Sequence, residues 1–293
     1  MLEANLQDLE DNNERSLKAL IYGPSGTGKT VQSVALAQAI TRPEEQIIYC
    51  DSGNGWVSLE NHPTLKRRVK RIQIGKITTL EGIGDVTSRK VGAFANVGAI
   101  IVDEYSTIVD NDLSFIVRER ASKDETKDPD TPTQPDYNTS KNRGVKYANK
   151  LFLLDRVHVI LVAHERQDKD SRNILKISPL FNPKLGARLR EAVHLVAYMD
   201  MTNRRVEGDS TRREQVRTIQ VHPSETVVAK TRIGGLEPVV NYKQLETGVK
   251  KWLEGNAETL NNNKVVMTER EREAVANQSL DTEGMTLEND EKE

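Results

Sequence analysis

The chain has 293 residues, 36% of them hydrophobic and only 4% aromatic, with a formal net charge of −2 and one cysteine. That length holds one large or two small domains, the lean apolar content leaves room for solvated segments, and the charge argues against a globally basic nucleic-acid binder while leaving local basic patches open. A lone cysteine, Cys50, excludes an internal disulfide and is read as a packing residue; with no long apolar run and no signal-peptide core, the expectation is a cytoplasmic protein with no membrane partner.

Residues 1–16 are polar and acidic, with Leu2, Leu6 and Leu9 at helical spacing, which fits either a frayed terminus or an arm that docks on a neighbouring subunit. The apolar segment Leu17–Tyr22 predicts a first strand. Gly23-Pro24-Ser25-Gly26-Thr27-Gly28-Lys29-Thr30 leads from it into a helix-like run, Val31–Ile40. Gln46–Cys50 predicts a second strand, ending in a flexible turn, Asp51-Ser52-Gly53-Asn54-Gly55, at the edge where such sheets present loops to a ligand. A third strand is expected at Val69–Ile74 and a helix at Thr78–Lys90 with a threonine N-cap. Val97–Val102 is wholly apolar, the pattern of a strand covered on both faces in a parallel sheet, and it delivers Asp103-Glu104.

A helix to about Ala121 follows, then an exposed loop, Ser122–Pro135, whose composition rules out a packed core. The next helix, Tyr137–Asp155, carries Lys141, Arg143, Lys146 and Lys150 as a solvated face. Val157–Ala163 predicts a buried strand ending in His164-Glu165. Beyond it come a mobile turn at Arg166–Asn173, an extended segment at Ile174–Phe181 and a helix near Lys184–Glu191 opened by Pro183. Ala192–Met201 and Arg217–His222 predict strands paired across a charged turn at Asn203–Glu214; Lys230 and Arg232 stand at alternate positions beside a glycine bend, and Tyr242–Leu253 is a final helix. The expected organisation is an amino-terminal arm (1–16), one α/β domain (17–254) built on a mostly parallel sheet flanked by helices with a carboxy-terminal antiparallel extension, and a disordered acidic tail (255–293).

The glycine-rich octapeptide is a P-loop: backbone N–H groups of the turn cradle phosphate oxygens, Lys29 reaches the β- and γ-phosphates, and the Thr30 hydroxyl ligates Mg²⁺. Asp103, at the end of a buried strand, is placed to hold that Mg²⁺ from the other side, and Glu104 to polarise the attacking water. Two strands precede the Asp103 strand after the P-loop strand, which favours the P-loop division with an extra strand inserted between the two. His164 is a candidate sensor of the γ-phosphate. Lys230 and Arg232, pointing the same way on an extended segment, can reach one anion, including the γ-phosphate of a neighbouring subunit.

GPSGTGKT, the strand ending YCDSG, IIVDE, the strand ending VAHE, and AKTRIG together resemble a RecA-fold ATPase, and more closely the phage-encoded RecA-like ATPases of the Sak-type single-strand annealing and recombination group, over about residues 17–240. The resemblance implies a RecA-like core, ATP and Mg²⁺ as cofactors, a homo-oligomer in which Lys230 and Arg232 form a finger supplied in trans, and His164 as the γ-phosphate sensor. It also implies DNA-binding loops after Glu104 and after Glu165, the second with Arg166, Lys169, Arg172 and Lys176 as candidate contacts. One departure stands out: RecA-like recombinases carry their catalytic glutamate just after the second strand, where this chain has Asp51-Ser52-Gly53, while the Asp103-Glu104 pair is the arrangement of AAA+ proteins.

The function expected is a Mg²⁺-dependent oligomeric ATPase that binds single-stranded DNA and assists phage recombination, annealing or replication in the host cytoplasm, with a single-strand-binding protein as a possible partner. An AAA+-type ATPase that remodels or loads a protein, and a nucleotide-gated module that does not hydrolyse, stay open as alternatives.

Overall fold

A computed structural model of the chain describes residues 15–60, 72–88, 96–124, 126–206 and 209–255. The predicted arm and acidic tail fall almost wholly outside these residues. In chain order, β1 (Lys18–Gly23) runs through the glycine-rich turn into α1 (Lys29–Ile40), followed by β2 (Gln46–Asp51), the short α2 (Trp56–Glu60), β3 (Ile72–Lys76) and α3 (Leu80–Thr87). β4 (Val97–Asp103) leads to α4 (Tyr105–Lys123) and α5 (Gln134–Phe152), and β5 (His158–Lys169) turns back into β6 (Leu175–Pro179). Then come α6 (Pro183–Ala192), the hairpin of β7 (Leu195–Val206) with β8 (Asp209–Gln220), the short β9 (Lys230–Thr231) and β10 (Val239–Val240), and α7 (Tyr242–Leu253).

The sheet runs β10-β8-β7-β1-β5-β4-β2-β3. From β7 through β3 every neighbouring pair is parallel, whereas β8 and β10 extend the other edge antiparallel. β5 therefore separates β1 from β4, which is the inserted-strand arrangement expected from the sequence. Parallel strands need covered faces, and β1 shows how both are filled. Ala19 and Ile21 belong to one core with Val34 and Ala37 of α1 and Val249 of α7; Leu20 and Tyr22 belong to the other with Ile83 of α3, Ile108 of α4, Leu151 of α5 and Leu189 of α6. This alternation is the strand period of two.

Lys18 interrupts the apolar run and is nevertheless buried, donating to Leu154 O (3.0 Å) and Val157 O (2.6 Å). Burial lowers its pKa to about 8, and the Asp155 carboxylate works against that shift. Two imidazoles close the same end of the strand: His158 Nδ1 accepts from Leu17 N–H (3.0 Å) and His194 Nδ1 from Lys18 N–H (3.1 Å).

The structure differs from the sequence reading in three segments. Residues 166–169, predicted as a mobile turn, continue β5 and pair with β6, and the reversal is confined to Asp170–Asn173. There Asp170 Oδ1 accepts from Arg172 N–H (2.9 Å) and Ile174 N–H (3.0 Å), and Asn173 takes a left-handed φ of 62°; an aspartate that bonds the backbone ahead of it and an asparagine tolerant of that region make a tight turn without glycine. The predicted charged turn at 203–214 is mostly strand, since β7 and β8 pair from Tyr198/Gln220 to Val206/Asp209. Helix α5 begins before Tyr137, because Thr133 and Asp136 form a capping box and Pro135 sits in the first turn, where its missing N–H is not needed.

Candidate active site

Parallel strands deliver their carboxyl ends to one edge, and the register places four of them together. Gly23 of β1 is level with His164 of β5, and Asp51 of β2 with Asp103 of β4. Between these ends and the start of α1 lies a cavity of about 510 Å³ lined by Ser25, Gly26, Gly28, Lys29 and Thr30 of the loop, by Gly53–Gly55, and by Asp103, Glu104 and His164.

The loop turns into α1 through Gly28, whose φ of 92° lies in the left-handed region that a residue without a side chain occupies at no cost. Lys29 is 6% exposed and folds back, its Nζ donating to Gly23 O (3.0 Å) and Pro24 O (2.9 Å), with Glu104 Oε1 at 3.9 Å. Burial lowers its pKa, opposed by the carboxylates of Glu104 and Asp103. One turn of loop thus holds an ammonium on backbone carbonyls at the position where phosphate oxygens would take over as acceptors.

Asp103 is 1% exposed and is the hub of the other wall. Its Oδ2 accepts from the Thr30 hydroxyl (2.5 Å) and the Tyr49 hydroxyl (2.7 Å). Burial raises its pKa, and these two hydroxyl bonds oppose the rise. Glu104 is fixed at both ends. Ser52 Oγ receives the Glu104 N–H (2.7 Å) and donates to Glu104 O (2.9 Å), while the carboxylate pairs through Oε2 with His164 Nε2 and accepts from Thr107 Oγ1 at 3.4 Å. Burial pushes the Glu104 pKa up, against the lowering effect of His164.

The loop after β2 closes over these groups. Asp51 Oδ1 accepts from Gly55 N–H (3.0 Å), and a Cβ on Gly55 would lie 2.9 Å from Asp103 Oδ2 and 3.2 Å from Thr30 Oγ1. Only a glycine leaves that space clear.

The remaining sequence-predicted residues lie elsewhere. Lys230 Nζ donates to Arg190 O (2.6 Å), Glu191 O (3.1 Å) and Val193 O (2.9 Å), and Arg232 NH2 to Glu191 O (3.1 Å), so the pair caps the carboxyl end of α6. β9 pairs with the first residues of β7, which are level with Ala19 and Leu20, so the pair stands toward the edge of the sheet opposite the phosphate loop of its own chain. Arg166, Lys169, Arg172 and Lys176 lie on the β5–β6 hairpin. There Arg166 pairs with Asp168 (2.5 Å), Arg172 with Asp170 (3.3 Å) and Lys176 with Asp170 (3.8 Å), while Lys169 is exposed.

A model of the AAA domain family matches residues 15–233, three-quarters of the chain, which include every group described above. The chain belongs to the AAA domain family. No curated protein matches the sequence.

An AAA domain is a nucleotide-binding ATPase domain of the P-loop class, and the groups present in this AAA domain fit a magnesium nucleotide. Thr30 and Asp103 offer one hydroxyl and one carboxylate oxygen side by side, a donor set that suits an ion completing its shell with phosphate oxygens and water. The Gly55 gap lies directly over that pair, and the loop amides with the Lys29 ammonium supply the anion cradle. Among the described residues no helix is long and apolar enough to cross a membrane.

Sequence reasoning missed Tyr49, Ser52, Gly55 and Thr107 in this AAA domain, and Arg217, which also lines the cavity. The run Asp51–Gly55 carried a signal, since its glycines and its position after a strand mark a ligand loop. Tyr49 and Arg217 carried none, because an aromatic in a buried strand and a cation in a charged run look ordinary until the sheet is assembled.

Proposed function

We propose that the chain is a Mg²⁺-dependent ATPase that works as a homo-oligomer on single-stranded DNA, assisting recombination, annealing or replication in the manner of the Sak-type phage ATPases its motifs resemble. The observation that carries the hydrolytic part is the convergence of Thr30, Asp103, Glu104 and His164 on the Lys29 loop. The bound nucleotide with its Mg²⁺ supplies a phosphoanhydride primed for in-line attack by water. Glu104 is the base that takes the water's proton, and its burial, by raising its proton affinity, favours that transfer. His164, through Nε2 on Glu104 Oε2, holds the carboxylate in place and stands where a change in phosphate charge is felt. Lys29 neutralises phosphate charge once it leaves the loop carbonyls.

The oligomeric part rests on Arg232. It is exposed and makes one side-chain hydrogen bond among the described residues, while Lys230 is engaged three times on α6. In this proposal Arg232 reaches the neighbour's γ-phosphate and Lys230 fixes the segment that carries it. The DNA part rests on the β5–β6 hairpin, an exposed ribbon with four cations. Its ion pairs lie at the surface, where water and salt screen them, so DNA phosphates can displace the carboxylates.

Turnover of ATP by the pure protein, with and without single-stranded DNA across a salt series, tests the proposal. DNA is expected to stimulate hydrolysis and to lose its effect as salt rises, and Lys29→Ala is expected to abolish turnover. Turnover that survives in Lys29→Ala overturns the P-loop assignment. An AAA+-type action on a protein partner is the second reading, favoured by the adjacency of Asp103 and Glu104 and by the acids that neutralise the hairpin; DNA that fails to bind at low salt selects it.

A further inference from the structure

We infer that Arg217 contacts the nucleotide from within the same subunit, at the α- and β-phosphates, the end of the site opposite the metal; the inference rests on the ATP reading above. Arg217 lines the same cavity as Lys29 and Thr30. Its side chain lies along the loop at Gly28, with Nε 3.3 Å, Cδ 3.6 Å and Cζ 3.9 Å from the point a Cβ there would occupy. It is exposed, and no hydrogen bond or ion pair holds it among the described residues.

The fold explains how a residue from the antiparallel extension arrives there. Ile219 and Val221 share one strand face with Arg217, two and four positions away, and both are buried in the core that α1 covers. β8 pairs Ile219 with Met199 and Arg217 with Met201, while β1 reaches Tyr22 level with Tyr198. Arg217 is therefore past the carboxyl end of β1 on the α1 face, where the amino end of α1 opens toward the phosphates.

Position along the loop decides which phosphates it meets. Backbone amides of a P-loop cradle the α- and β-phosphates, its lysine reaches β and γ, and its Ser/Thr hydroxyl holds the metal. Asp103, Glu104 and His164 gather on the hydroxyl side, the γ end. A guanidinium lying against Gly28 is on the α/β side and meets phosphates that ATP and ADP share. Arg217 therefore sets affinity for the nucleotide and does not read its γ-phosphate.

Calorimetric titration with ADP and with a non-hydrolysable ATP analogue, for wild type, Arg217→Ala and Arg217→Lys, tests this. A charge-assisted hydrogen bond of this kind changes affinity by about tenfold or more. Arg217→Ala is expected to weaken both ligands by the same factor, Arg217→Lys to recover part of the loss, and KM for ATP to rise more than kcat falls. Equal ADP affinity in wild type and a folded Arg217→Ala overturns the inference, as does a loss confined to the ATP analogue. Should Arg217→Ala fail to fold, an unchanged ADP affinity in Arg217→Lys overturns it, because an ammonium on a shorter stem does not reproduce a guanidinium contact. Wild type that binds neither ligand overturns the ATP reading itself, a different outcome from a wild type that binds and a variant that binds equally well.

Discussion

Gly55 has no functional group, yet it governs the space where Asp103 and Thr30 meet. An alanine there would place a methyl 2.5 Å from the Tyr49 hydroxyl and 2.9 Å from Asp103 Oδ2. Gly55→Ala is therefore expected to raise the Mg²⁺ concentration needed for turnover by about tenfold or more, the usual cost of disturbing groups that support metal ligands. Turnover measured across a Mg²⁺ series checks it, and an unchanged series would remove the assigned role of this glycine. Residues with a fixed place in a motif, such as Lys29, Thr30 and Asp103, were legible because the octapeptide and the apolar run before Asp103 define their surroundings locally. Gly55 and Tyr49 were not, since their importance comes from strands that meet only in the assembled sheet.

At the level of elements, β1 is closed at its amino end by polar groups that work only in one protonation state. His158 Nδ1 accepts from the Leu17 N–H, and burial first, then the Lys18 charge, lowers its pKa from 6.5 to about 4. Unfolded chains thus bind a proton at this imidazole between pH 6.5 and 4 while the folded protein does not, so stability is complete above pH 6.5 and is lost as pH falls through that window. The loss approaches about 3 kcal/mol. Chemical denaturation at pH 7 and pH 4.5 is expected to show a steeper fall for wild type than for His158→Asn, whose amide oxygen replaces Nδ1 without titrating; parallel curves would refute it. The strands with both faces covered were readable as apolar runs. The outer end of β5 was not, because Gln167, Asp168 and Lys169 are all exposed and no buried face imposes an apolar period on them; the far ends of β7 and β8 were missed because their run of charged residues reads as a turn.

For the whole molecule, the proposed homo-oligomer makes one active site depend on the neighbouring subunit. Arg232 stands at the opposite edge of the sheet from its own phosphate loop, so an arginine supplied in trans predicts that two defects in different subunits complement each other. Arg232→Ala and Glu104→Gln proteins, each inactive alone, are expected to regain part of the turnover when mixed; mixed assemblies without recovery would rule out the trans arrangement.

β5 adds a mechanical consequence. It is one unbroken strand of 12 residues, roughly 40 Å long at the rise of extended chain. It begins at the buried imidazole of His158, is clamped between β1 and β4, meets the Glu104 carboxylate at His164 and ends in the β5–β6 ribbon that the proposal assigns to DNA. No hinge separates these stations. Under the proposed function, whatever the ribbon holds is joined to the Glu104 contact of His164 by continuous strand backbone, without a relay of side chains between them.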